Sequence, residues 1–229
     1  MSSPTGPSSS SYKRSLYDAF LVVDLAMVAE RAYGTYTLLF LLAAGAFSLA
    51  MLVVSAGGEP LPGDEEILEL VQRWEIGDVL PSQLVFESAS VVAAVVVAVV
   101  LWRRVSRSVG IATLVASTAP LPGYLFKQIV ARPRPFSVVV PMDSYSFPSN
   151  STLLAVAVAL WMVLLALRYR SRPYGAVAAV MLVIAVLTGI QRLAVGEHWP
   201  SDIVGAWLTA GAWVIVVRVG WDRVWLRSP

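Results

Sequence analysis

The segment 191–202 gathers ionisable residues into a short break between two long apolar runs. It holds the single histidine of the chain, His198, with Arg192 before it and Asp202 four residues after it. If Asp202 lies in the first turn of a helix, its carboxylate can accept from one ring nitrogen and leave the other as a nucleophile. Arg192 can bind a phosphoryl oxygen. The segment therefore indicates attack by His198 on phosphorus, with a purely structural histidine as the alternative.

A second polar segment, 127–135, follows another apolar run and contains Lys127 and Arg134. Lysine and arginine suit a phosphate group, whose charge is spread over several oxygens. Two prolines in the segment predict that the preceding helix ends near Ala131, so that both cations can face one pocket. The alternative is a pair of ordinary cations at the end of a membrane span.

A third polar segment, 147–152, opens a further apolar run with Ser149, Asn150 and Ser151. Proline followed by these small polar residues predicts the start of a helix. A helix N-terminus offers free N–H groups and a positive dipole end, which bind phosphate. The three side chains are therefore candidate substrate-binding residues, and plain capping of a helix is the alternative.

The composition predicts the elements that must position these residues. The chain is 57% hydrophobic and only 14% charged, whereas soluble domains carry about 25% charged residues. A membrane-spanning helix needs about 20 apolar residues, and six stretches meet or approach that length. We predict an all-α, polytopic membrane helical bundle of six transmembrane helices. The stretches are 36–56, 88–102, 108–129 (interrupted by Pro120 and Pro122), 151–167, 174–193 and 203–219.

The remaining segments complete the predicted organisation. Residues 1–14 form a tail rich in serine and proline that is expected to be disordered. Residues 15–31 are predicted to form an amphipathic helix on the membrane surface, with an extension of the first span as the alternative. A short amphipathic helix is predicted from Asp64, with acidic residues in its first turn. Residues 15–229 are expected to form a single membrane-embedded domain.

Basic residues predict the orientation of the bundle. Twelve of the seventeen lysines and arginines fall in segments that lie on one side if six spans are correct. The positive-inside rule makes that side cytoplasmic, so both termini lie in the cytoplasm and the three polar segments are extracytoplasmic. The twelve are Lys13, Arg14, Arg31, Arg103, Arg104, Arg107, Arg168, Arg170, Arg172, Arg218, Arg223 and Arg227.

The residue inventory limits the chemistry. The chain has no cysteine and one histidine, which excludes disulfides and makes a transition-metal site unfavourable. We expect no metal or cofactor, since the cations can hold a phosphate themselves. The expected partners are the membrane and a lipid phosphate or diphosphate, with no nucleic acid. A composition rich in alanine and valine, with arginine far above lysine, suggests a prokaryotic plasma membrane.

The three segments in this order resemble the motifs of the type 2 phosphatidic acid phosphatase superfamily. These lipid phosphatases share a helical core with vanadium haloperoxidases. The motif Lys-x6-Arg-Pro is intact from Lys127 to Arg134. The motif Ser-Arg-x5-His-x3-Asp is present from Arg192 to Asp202, with Gln191 where serine is usual.

The second motif of the family, Pro-Ser-Gly-His, is altered here. Its place is taken by the segment 148–151, which ends in Ser151. In the family that histidine protonates the leaving oxygen, and a serine hydroxyl is a poor acid at neutral pH. Asp143 and Glu197 lie nearby in the sequence, and whether either reaches the site, or Arg132 joins it, is left open.

The resemblance implies an enzyme, a metal-independent phosphoric ester or anhydride hydrolase. It would remove the terminal phosphate of a lipid (polyprenyl) diphosphate or lipid phosphate at the extracytoplasmic face, through a phosphohistidine. A diphosphate is favoured because its leaving group is already a weak base and needs little protonation. The alternatives are a lipid phosphotransferase with an alcohol acceptor and a non-catalytic family member that binds lipid phosphate. The implied catalytic residues are His198 and Asp202, and the implied substrate-binding residues are Lys127, Arg134, Arg192, Ser149, Asn150 and Ser151.

Overall fold

The computed structural model describes residues 60–135 and 145–225, apart from Asp78 and Ser171, and several residues between 34 and 48. The predicted tail at 1–14 and amphipathic helix at 15–31 lie outside the described residues, as does most of the predicted span at 36–56. The domain prediction for 15–229 therefore stays a prediction. All residues of the three polar segments that are described belong to one compact unit of the chain, 44–229.

The described part of the chain is all-α, which confirms the predicted fold class, and it contains no strand. Between 60 and 225 the helices are α1 (Asp64–Gln72), α2 (Gln83–Arg104), α3 (Arg107–Ala116), α4 (Pro120–Val130), α5 (Asn150–Tyr169), α6 (Arg172–Ala194) and α7 (Pro200–Trp225). In this part, five helical stretches are long and apolar enough to cross a membrane. They are Leu84–Arg104, Arg107–Val130, Asn150–Tyr169, Arg172–Ala194 and Pro200–Asp222. The protein is therefore an integral membrane protein, and the five correspond to predicted spans two to six.

Prolines mark two of the boundaries. The span Arg107–Val130 is divided between α3 and α4, because Pro120 at the start of α4 cannot continue the helix before it. Its far end closes at Ala131, which adopts a left-handed conformation (φ 49°) before the extended Pro133 segment. The predicted interruption and the predicted helix end are both found.

Helix α5 is the centre of the bundle. Two thirds of its span (67%) is buried inside the protein, against 28% for α2 and for α6. Small residues make this close packing possible, since Ala155, Ala157 and Ala159 are completely buried. Trp161 donates from its indole nitrogen to Thr113 Oγ1 at 2.9 Å and so joins α5 to α3. Because α5 is enclosed, its first turn is presented to neighbouring helices rather than to lipid.

Alternating helix directions divide the bundle into two ends. The polar end, as we name it, holds the C-termini of α4 and α6 and the N-termini of α2, α5 and α7, with Lys127, Ser149, Arg192, His198 and Asp202. The opposite end, named the arginine end, holds the N-termini of α3 and α6 and the C-termini of α2, α5 and α7. Its described basic residues are Arg103, Arg104, Arg107, Arg168, Arg170, Arg172 and Arg218.

Candidate active site

His198 lies in the turn between α6 and α7, where Pro200 begins α7 and Asp202 occupies its first turn. Its Nδ1 is 3.4 Å from Asp202 Oδ2. The same oxygen accepts a 2.8 Å hydrogen bond from the backbone N–H of Trp199, which fixes the carboxylate. The His–Asp distance is long for a hydrogen bond. A proton on Nδ1 would be directed at Asp202.

The other ring nitrogen of His198 faces a cation. Its Nε2 is 3.4 Å from Nη1 of Arg134, which also donates to the Glu197 carbonyl at 2.8 Å. The imidazole is almost completely buried (3% exposed). Burial lowers the pKa of His198 to about 3, and the hydrogen bond and charge of Asp202 offset this only in part, while Lys127 and Arg134 add to the lowering. The ring is therefore neutral, the form in which Nε2 is a nucleophile.

Two cations of the 127–135 segment, Lys127 and Arg134, converge, as their spacing predicted. Lys127, in the last turn of α4, is buried and donates to the carbonyls of Tyr145 (2.6 Å) and Ser146 (3.2 Å). Arg134 contacts the same Tyr145 carbonyl at 3.4 Å. Partial burial lowers the pKa of Arg134 from its ordinary value, and the charge of Asp202 opposes that shift. The loop at Tyr145 therefore closes one side of a cluster of positive charge.

Arg192 brings a third cation to the cluster from the end of α6. It is close enough for its charge to act on Lys127 and Arg134, and its side chain is buried. Its guanidinium forms an ion pair with Glu197 and lies 3.4 Å from the side-chain oxygen of Gln191. Glu197, considered above for its closeness in sequence, is thus a partner of Arg192.

The first turn of α5 abuts this cluster. The helix begins here, as predicted, with Ser149 as its N-cap residue, although the Ser149 side chain makes no capping hydrogen bond. The backbone N–H of Ser149 points at the Asp202 carbonyl at 3.4 Å. Its hydroxyl is 3.1 Å from Thr152 Oγ1. The side-chain amide of Asn150 is buried and has no hydrogen-bond partner among the described residues. Ser151 turns towards α2, where its Oγ donates to Glu87 Oε1 at 2.6 Å.

Arg132 occupies the centre of a network that the sequence left unassigned. It is 1% exposed and donates at 2.7 Å to Asp202 Oδ1 and at 2.7 Å to Asp64 Oδ2. Ser201 Oγ accepts from Arg132 at 2.7 Å and donates to Asp64 at 2.6 Å. Arg132 therefore fixes the carboxylate of Asp202 through the oxygen that does not face His198. Asp64, the first residue of α1, in turn fixes Arg132.

Two acidic residues of the site were missed from the sequence. Asp64 was interpreted only as a partner of its own helix dipole, and nothing local to it indicates the Arg132 contact. Glu87 fell outside the predicted span because that span was started at Ser88, whereas α2 begins at Gln83. Glu87 is the one acidic residue of α2 and lies in its membrane-crossing stretch, and an ionisable group in a membrane helix is itself a signal of function. Asp143 lies outside the described residues.

The arrangement as a whole suits phosphoryl transfer. A neutral imidazole nitrogen faces a cluster of cations at the mouth of a membrane helix bundle, with a carboxylate behind the ring. Among the described residues, no group of three histidine or acidic side chains is arranged to hold a metal ion. Histidine nucleophiles and arginine and lysine side chains are the groups that phosphoryl transfer uses. The class defined by fold and site is a membrane phosphohydrolase.

Comparison with known proteins identifies the family. The model of the PAP2 superfamily matches residues 105–225, which include the three polar segments. The undecaprenyl-diphosphatase of Sulfolobus acidocaldarius is 30% identical over 200 residues, covering 82% of this chain and 89% of the relative. The chain therefore belongs to the PAP2 superfamily, and it is an enzyme of the phosphoric ester hydrolase class.

Two further proteins are similar to this chain. The undecaprenyl-diphosphatase BcrC of Bacillus subtilis is 30% identical over 93 residues, or 38% of this chain and 44% of BcrC. A solved structure, the transmembrane PAP2 type phosphatidylglycerolphosphate phosphatase of Bacillus subtilis, is 25% identical. It has a TM-score of 0.47 and covers 84% of this chain and 96% of its own.

Proposed function

We propose that this protein removes the terminal phosphate of a polyprenyl or related lipid diphosphate at the extracytoplasmic face of the membrane, by way of a phosphohistidine on His198. The observation that carries the proposal is the setting of that imidazole. Its Nε2 is 3.4 Å from Arg134 and its Nδ1 is 3.4 Å from Asp202. A neutral nitrogen is thereby aimed at the cations that would bind the phosphate.

The first chemical step follows from this geometry. Nε2 of His198 attacks the terminal phosphorus, and the bond from that phosphorus to the bridging oxygen breaks. Asp202 stabilises the Nδ1–H of the ring as positive charge develops on it. Lys127, Arg134 and Arg192 bind the oxygens of the transferred group, with Ser149 and the N-terminus of α5 as further donors. The lipid monophosphate leaves with the bond's electron pair.

The nature of the leaving group supports a diphosphate substrate. The first turn of α5 carries Ser151 and no histidine, so a strong general acid is missing at that position of the chain. A lipid monophosphate is a weak base and departs with little protonation, whereas an alkoxide needs a proton. Two relatives whose names are undecaprenyl-diphosphatase support the same class of substrate. Asn150, whose buried amide has no partner, would contact the diphosphate or its bridging oxygen.

Phosphate release by the purified protein in detergent tests this function. We expect cleavage of a polyprenyl diphosphate, little or none of the monophosphate or of phosphatidic acid, and loss of roughly 10⁴-fold or more in rate for His198→Ala. Ser151→His should extend activity to monoesters. Full activity in His198→Ala would overturn the proposal. Activity that requires an added alcohol would indicate a phosphotransferase, and binding without turnover would indicate a non-catalytic member.

The charge distribution supports the proposed orientation. The helix ends and connections at the arginine end carry the group of basic residues given above. The positive-inside rule assigns such an end to the cytoplasm. The chain has no cysteine, so single cysteines can be labelled without background. In intact cells a membrane-impermeant maleimide should label Glu65→Cys, at the exposed surface of α1, and should label Tyr169→Cys, at the arginine end, only after lysis. The reverse pattern would place the site on the cytoplasmic side.

A further inference from the structure

Hydrolysis of the phosphohistidine, the second step of the proposed reaction, needs a proton acceptor that the first step does not use. A phosphohistidine is hydrolysed when water attacks phosphorus, and a positioned base that takes the proton of this water accelerates the step. His198 cannot serve, because its Nε2 carries the phosphoryl group at that moment. Another acceptor must therefore lie beside the cation cluster.

The carboxylates near the cation cluster differ in their ion-pair and hydrogen-bond partners. Asp64 and Asp202 are both tied to the buried guanidinium of Arg132 by 2.7 Å contacts. Glu197 is paired with Arg192. In the described part of the chain, none of these three is hydrogen-bonded to a side-chain hydroxyl of the first turn of α5.

Glu87 differs from these three because it is joined to a hydroxyl that borders the site. Ser151 Oγ donates to Glu87 Oε1 at 2.6 Å, which is a short hydrogen bond between two side-chain oxygens. Ser151 lies in the same helical turn as Ser149, whose backbone N–H faces Asp202. Glu87 also lies close enough to Arg192 for the two charges to interact. Since the serine proton already points at Glu87, a lone pair of Oγ is available to a water molecule.

We propose that Glu87 and Ser151 form a proton relay that activates the water which hydrolyses the phosphohistidine, an inference that rests on the proposed function. The water oxygen bonds to phosphorus, and the phosphorus–Nε2 bond breaks with its electron pair returning to His198. One water proton passes to Ser151 Oγ as the serine proton passes to Glu87 Oε1. Inorganic phosphate leaves, and Glu87 then releases its proton to solvent. Ser151 touches the reacting water, and Glu87 is the positioning residue that acts through it.

Rapid-quench kinetics with a polyprenyl diphosphate labelled in its terminal phosphate test the relay. Glu87→Gln keeps the shape of the side chain and removes the base. We expect kcat to fall by roughly 10²–10⁴-fold. We expect kcat/KM to change by no more than about threefold, since it reports the earlier phosphorus–oxygen cleavage. Acid-labile labelled protein should accumulate to near one phosphate per chain after a burst.

Matched variants separate this role from a structural one. Ser151→Ala should give the same burst and accumulation, and Glu87→Asp should recover part of kcat. Glu66→Gln, an exposed acid of α1, should behave as the unmodified protein. If Glu87→Gln is too unstable to purify, Ser151→Ala decides by the same readout.

The outcomes distinguish the relay from the proposed function. An unchanged kcat in Glu87→Gln, or equal losses of kcat and kcat/KM without labelled protein, would overturn the relay. An active His198→Ala, or unmodified protein that never forms a labelled intermediate, would overturn the proposed function itself. A dead His198→Ala together with a Glu87→Gln that accumulates label supports both.

Discussion

The two ends of the helical bundle use arginine in opposite ways. At the polar end, Arg132 is 1% exposed and contacts the carboxylates of Asp64 and Asp202 at 2.7 Å each. At the arginine end, Arg168 has a side chain that is 33% exposed and lies 3.4 Å from Asp222. The first arginine is enclosed by its partners, and the second is solvated beside its partner.

The two arginines therefore have different roles. The buried Arg132 positions Asp202, and the exposed Arg168 helps to orient the chain in the membrane. Removing a guanidinium and two carboxylates from water costs several kcal/mol per ion, and apolar residues of the same volume would often be as stable. A buried group of this kind is explained by the precision that it gives to Asp202, and through Asp202 to His198. Exposed arginines such as Arg168 have no such cost, and their charge suits the orientation of the chain in the membrane.

The largest effect should come from removing the buried arginine. Arg132→Ala leaves Asp64 and Asp202 buried without their cation, and we expect the free energy of unfolding to fall by about 3–5 kcal/mol. Thermal unfolding in detergent, followed by circular dichroism, measures the change. If Arg132→Ala lowers the free energy of unfolding by no more than Arg168→Ala does, the two ends of the bundle do not differ in how they use arginine.

A smaller effect should come from the second carboxylate of the network. Asp64→Asn keeps the shape of the side chain but weakens its bonds with Arg132 and Ser201, and we expect a loss of about 1–3 kcal/mol. Glu65→Gln is the matched control, because Glu65 is the next residue of α1 and is exposed. Equal melting temperatures for the two variants would show that Asp64 does not support the network.

The buried imidazole should make stability depend on pH. The pKa of His198 is about 3 in the folded protein and about 6.5 when unfolded, so below pH 6.5 the unfolded chain binds a proton that the folded chain does not. Stability should therefore fall as the pH is lowered from 6.5 to 5, by about 1–2 kcal/mol. The charged groups that act on the ring are Asp202, Lys127 and Arg134. Melting temperatures for the unmodified protein and for His198→Asn measure this, and an equal pH dependence in both would contradict it.

The smallest effect is expected at the arginine end. Arg168→Ala removes a solvated ion pair with Asp222 and a contact of the guanidinium with the Trp221 ring (4.9 Å to its centre). Exposed pairs contribute about 0–1 kcal/mol and are screened by salt. The shift in melting temperature should be small and should shrink further at high salt. A large shift that is insensitive to salt would mean that this end is also held by buried charge.

Local rules predicted the helices and their interruptions from the sequence. Pro120 predicted the division between α3 and α4, and Pro133 predicted the helix end at Ala131, because proline blocks the helix that precedes it. The start of α5 at Ser149 and Asn150 was predicted from the proline and the small polar residues that follow it. The convergence of Lys127 and Arg134 followed from that same helix end. Each of these predictions depends only on neighbouring residues.

The contacts of Arg132 and Ser151 could not be predicted in this way. Arg132 meets Asp64 across 68 positions, and Ser151 meets Glu87 across 64. A single sequence gives the charge of each partner but not which of several acids folds against it. The exposed Glu65 and the buried Asp64 are adjacent and chemically alike, and only the packing of α1 distinguishes them.

The enclosure of α5 has a consequence for how the enzyme should respond to its lipid surroundings. Helices that face lipid adjust their tilt when the bilayer becomes thicker or thinner, and α2 and α6, with 28% of their spans buried, are of this kind. Helix α5, with 67% buried, meets far less lipid. Ser149, at its N-terminus, is therefore insulated from changes in bilayer thickness.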